Sequence, residues 1–94
     1  MNLDKAKKRI AKQIKKGFDG YPQISLAYFG ATADCATEVR VSFIMAAGEP
    51  AQEQRFASTQ DVREDETIQS VLVKIIERAN VSTVTEVPGV TILA

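Results

Sequence analysis

The chain predicts an α+β domain: two helices packed on one face of a mainly antiparallel sheet of three to five strands, in the order α-β-β-β-α-β(β). Apolar residues recur at helical spacing near the start and again past the middle of the sequence. Between those two segments, runs of alternating apolar and polar residues read as strands. Glycine, proline and aspartate punctuate the boundaries. A length of 94 residues suits one domain, 1–94.

The first helix rests on Leu3, Ala6, Ile10, Ala11, Ile14 and Phe18, which fall on one stripe at about 100° per residue. Lys5, Lys8, Arg9, Lys12, Lys15 and Lys16 fall on the opposite side, with Lys7 at the margin. Gly17 suits the residue after the helix, because glycine takes the left-handed conformation without a Cβ penalty. Asp19-Gly20 turns the chain, and Tyr21 before Pro22 stays extended.

"PQISLAYFG" is the first strand, with Ile24, Leu26 and Tyr28 on one face; Phe29 interrupts the polar side, so some cover is expected there too. "GATADCATE" reads as a loop. "EVRVSFIMA" is the second strand, with Val39, Val41, Phe43 and Met45 inward. "AGEPA" turns into "QEQRFAS", a polar third strand expected at a sheet edge, where charge discourages stray pairing. Ile68, Val71, Leu72, Ile75, Ile76 and Ala79 define the second helix. Asp61 followed by Glu64 resembles a capping box, and Asn80 ends the helix. "STVTEVPGVTILA" reads as one bent strand or two short ones around Pro88-Gly89; that pair favours a type II turn that fits a tight hairpin poorly, which leans the reading towards one kinked strand.

Composition narrows the chemistry. An apolar fraction of 45% with 26% charged residues is that of a folded globular chain rather than a disordered one. Histidine is absent and Cys35 is the only cysteine. The chain therefore lacks the commonest general base, a Cys/His zinc site and any nucleophile paired with histidine. Cys35 lies beside Asp34, whose negative charge opposes thiolate formation. Carboxylates at Asp34, Glu38 and Glu49 lack the alternate spacing of a calcium loop, and no glycine-rich phosphate cradle occurs. No catalysis, cofactor, metal or small-molecule ligand is expected. Without an apolar run long enough to span a bilayer, a secretory leader or paired cysteines, a cytoplasmic location is expected and membrane attachment is not.

Charge is segregated. Residues 1–17 hold seven basic side chains and one acid, and the remainder holds five and eleven, for a net charge of zero. Attraction for a polyanion must then be local, within about 10 Å of the first helix. The expected function is a non-catalytic interaction module working through protein contacts or self-association, by a sheet edge or by the lysine helix meeting the acids Asp61, Glu64, Asp65 and Glu66 of another copy. The alternative is a nucleic-acid accessory protein using Lys5, Lys8, Arg9, Lys12, Lys15 and Lys16. Against that alternative stand the predominance of lysine over arginine and the lack of an interleaved aromatic ring.

The helix, three strands, helix order of residues 1–80 resembles that of double-stranded RNA-binding domains. The resemblance is one of order. The basic segment that opens that family's second helix corresponds here to the acidic "DVREDE", so it implies no function for this chain.

Overall fold

The computed structural model describes residues 2–93. The elements run α1 (Leu3–Lys15), β1 (Gln23–Gly30), β2 (Glu38–Ile44), β3 (Gln52–Ala57), a single 3₁₀ turn (Val62–Glu64), α2 (Glu66–Arg78) and β4 (Thr83–Ile92). The predicted α+β class and element order hold.

The four strands form one sheet in the order β3-β2-β1-β4. β1 pairs antiparallel with β2, and β2 with β3. β4 instead lies parallel to β1. This follows from the connection: a helix between β3 and β4 returns the chain to the far side of β1 running in the same direction. Of the two readings of the last segment, one kinked strand is the one that forms. Its register against β1 jumps between Leu26 and Tyr28, where Val87-Pro88-Gly89 stand opposite Ala27. Gly89 takes a positive φ of 75° there, a conformation glycine adopts without strain.

Period-two alternation delivers the core. Ile24, Leu26 and Tyr28 of β1, Val39 and Val41 of β2 and Val84 of β4 are buried on one face. Ala6 and Ile10 of α1 and Ile68, Leu72, Val73 and Ile76 of α2 close over them. Each fully buried aliphatic side chain contributes about 1.5–3 kcal/mol. Among the described residues no helix covers the other face. There Arg40 lies 4.0 Å above the Phe29 ring and bonds Glu38 at 2.6 Å, which supplies the partial cover expected for Phe29.

Several expectations are corrected. α1 ends at Lys15, so Phe18 leaves the stripe and is 67% exposed. Ala11 is exposed as well, because α1 meets α2 and β4 along an edge narrower than its apolar stripe. Met45 lies beyond the end of β2 and is exposed. Asp61 caps the 3₁₀ turn by accepting from the Arg63 amide, and α2 starts a turn later under Asp65, which accepts from Ile68 at 3.0 Å. The buried arc of α2 also includes Gln69 and Val73, while Val71, Ile75 and Ala79 are half-buried. The reason is that α2 packs on the sheet and also against α1, so its α1 side is covered too.

Candidate binding surface on α1

The lysine surface owes its shape to how α1 begins, ends and is fastened. Asn2 caps the start by accepting from the Lys5 amide at 2.9 Å. Lys16 is the C-cap, and Gly17 follows with a φ of 73°. The helix presses Ala6 and Ile10 inward. Residues 5, 8, 12, 15 and 16 then share the outward arc.

Two of the basic residues are occupied. Lys7 Nζ donates to Glu64 at 2.8 Å, and Arg9 donates to Glu77 at 2.9 Å. Both lie at the margins of the arc and tie α1 to the turn before α2 and to α2 itself. Arg9, expected on the free face, is therefore partly a fastening residue. Lys5, Lys8, Lys12, Lys15 and Lys16 are exposed, and among the described residues none has an ion pair. Like charges this close raise each other's electrostatic energy and are relieved by an external anion.

An aromatic pair stands at the end of this row. Phe18 and Tyr21 meet edge to face, with ring centroids 5.7 Å apart and an interplanar angle of 79°. Their loop is pinned by Thr83, a buried residue whose hydroxyl donates to the Gly20 carbonyl at 2.7 Å and accepts from the Asp19 amide at 2.8 Å. The Pro22 carbonyl also accepts from Ser82 at 2.9 Å. Phe18, expected in the buried stripe, is instead the ring that stands beside the lysines.

The acids expected to receive a second copy's lysines are largely engaged within the chain. Asp61 holds Arg63 at 2.6 Å, Glu64 takes Lys7, and Asp65 caps α2 and accepts from Ser58 at 3.1 Å. Arg63 keeps the Asp61 carboxylate well below its ordinary range, at about 2. Only Glu66 of the four has neither a cap nor an ion pair among the described residues, which undercuts docking of α1 onto this cluster.

A cleft of about 540 Å³ opens along the other margin of α1, between Ile10, Ala11 and Ile14 and the polar groups of Tyr28, Gln69 and Glu86. The Tyr28 hydroxyl lies 3.4 Å from Glu86. Burial, then the Glu86 charge, pushes the phenol far above its ordinary range, so Tyr28 stays protonated and can donate but not act as a base. Gln69, itself buried, spends its amide N–H on the Val62 carbonyl at 2.9 Å. Among the described residues no group of three or more acidic or cysteine side chains is placed to hold a metal. Glu38 is taken up by Arg40, while Asp34 and Glu49 lie exposed in separate loops. Cys35 is a free, half-buried thiol. Among the described residues no helix is long and apolar enough to cross a membrane.

No family model, no curated protein and no solved structure matches the chain in comparisons with known proteins. The functional reading therefore rests on these residues.

Proposed function

We propose that the protein is a non-catalytic binding module that docks a polyanion along α1, and that single-stranded nucleic acid is the partner its surface fits. The observation that carries this reading is a row of five lysines without internal counter-ions that ends at an exposed pair of aromatic rings. Phosphates follow the row, and an unstacked base lies on Phe18 or Tyr21. Lysine offers point charge without the bidentate fork that reads base edges, so binding is independent of sequence. The neutral whole keeps the attraction local and sensitive to salt.

Fluorescence anisotropy with a labelled single-stranded oligonucleotide tests the reading. If all five lysines neutralise phosphates, affinity falls about a hundredfold between 50 and 200 mM salt. Changing Lys8, Lys12 and Lys15 together to Glu abolishes binding. Phe18→Ala weakens the single strand more than a duplex. An oligonucleotide that stays unbound in about 50 mM salt defeats the proposal, because sequence-independent attraction is strong there.

A further inference from the structure

The sheet has two free edges of different character. At the β4 edge, Pro88 lacks an N–H and the register jump at residues 87–89 interrupts the strand, two devices that block strand addition. The β3 edge has neither. β3 pairs with β2 alone, over Gln52–Ala57, with Gln54 opposite Val41 and Arg55 opposite Arg40. Just past it, the Ser58 amide donates to the Thr37 carbonyl at 2.9 Å. Antiparallel ladders alternate. Gln52, Gln54 and Phe56 therefore turn their backbone groups toward β2, and Glu53 and Arg55 turn theirs outward.

We propose that β3 pairs antiparallel with β3 of a second copy, about a two-fold axis through Gln54. Glu53 then lies opposite the partner's Arg55, and Arg55 opposite the partner's Glu53. These are the residues whose amides and carbonyls face the edge, so each pair exchanges both N–H···O bonds as well as opposite charges. Within one copy these two side chains, 47% and 65% exposed, share only a long ion pair of 3.8 Å, which the closer cross-strand pairs replace.

The charges select the register. An axis through Glu53 sets carboxylate against carboxylate, and one through Arg55 sets guanidinium against guanidinium; like charges directly opposite are unfavourable. A half-step shift brings a core-side residue against one from the open face. The Gln54 axis alone matches charge and face together. It also brings the partner's Gln52 and Phe56 to the core side, beside a groove of about 320 Å³ lined by Val41, Phe43, Gln54, Ile75 and Ala79. Phe43 and Ile75 are only partly buried in one copy, and this groove is where they gain cover. A single strand pair is a small interface, so the dimer is weak and depends on concentration. It owes nothing to the lysine row.

Sedimentation velocity across a concentration series reaching about 1 mM reads the dimer. Glu53→Arg and Arg55→Glu each weaken it about tenfold or more, since each turns both attractive pairs into repulsive ones. The double exchange, Glu53→Arg with Arg55→Glu, restores it. Mixing the two single variants gives a heterodimer tighter than either variant's own pairing, because arginines then face glutamates at both positions. Circular dichroism confirms that these exposed substitutions leave the fold intact. A wild-type chain that remains monomeric at about 1 mM overturns the proposal. So do single variants that pair like wild type, or a mixture that shows no preference.

Discussion

α1 and α2 have the same length, 13 residues each, and do opposite work. α2 buries Ile68, Gln69, Leu72, Val73 and Ile76, whereas α1 buries Ala6 and Ile10. α2 packs on the sheet and against α1 as well. α1 is a strap, held by a narrow apolar edge and two exposed ion pairs that contribute about 0–1 kcal/mol each. A helix held so lightly has most of its surface free for contact, and its uncompensated lysines sit on that surface. The difference teaches that segregated charge in a sequence signals a binding face only where the fold leaves that charge unpaired.

The largest test of this asymmetry is a pair of core truncations. Leu72→Ala, at a site with 1% exposure, costs about 3–4 kcal/mol, because it leaves a cavity under both layers. Ile10→Ala costs about 2 kcal/mol, since the cavity it opens borders the cleft and the strap can settle inward. Urea unfolding monitored by circular dichroism measures both. Equal losses would mean that α1 is as integral as α2.

Gln69 sharpens the point at somewhat smaller cost. Its amide satisfies the Val62 carbonyl inside the core. Gln69→Leu keeps the volume and leaves the Val62 carbonyl with only the longer bond from the Asp65 amide at 3.3 Å, costing about 1 kcal/mol. No residue of α1 plays a comparable part, so no polar-to-apolar change on α1 reaches this size. Retained wild-type stability in Gln69→Leu would show that the Asp65 amide alone satisfies the carbonyl.

Much of this was legible in the sequence, and the failures have physical causes. Period two and period 3.6 located the helices and strands because each buries one face. Gly17 and Asn80 marked the helix ends, and both have positive φ. Gly17 also implied that Phe18 stands off the helix, a signal present in the sequence and left unused. Gln69 escaped because an apolar pattern cannot reveal a buried amide whose partner is the carbonyl of a 3₁₀ turn. The parallel placement of β4 depends on where the crossover lands, which no local pattern encodes. The Glu53-Gln54-Arg55 alternation is visible in the sequence, but its meaning depends on β3 lying at an edge.

The helix caps offer a smaller contrast. Asp65→Ala costs about 1 kcal/mol, since it removes a capping carboxylate that also accepts from Ser58. Asn2→Ala costs about 0.5 kcal/mol, because its helix end is exposed and frays cheaply. Unfolding midpoints at constant m-value distinguish the two, and a larger loss at Asn2 would reverse the assignment of strap and core helix.

The smallest effect separates the turn before α2 from α1 by pH. Arg63 hydrogen bonds hold Asp61 at about 2 against an ordinary 3.8. The unfolded chain takes up that proton first on acidification, so the contribution of the Asp61–Arg63 pair is complete above about pH 4 and is lost as pH falls toward 2. Arg63 is 36% exposed, and solvent screening limits the contribution to about 1 kcal/mol. Asp61→Asn therefore lowers stability at pH 7, and its deficit shrinks as wild type and variant are compared at pH 4, 3 and 2.5. A deficit that stays constant across that range means that Asp61 acts through its hydrogen bonds to the turn and not through its charge.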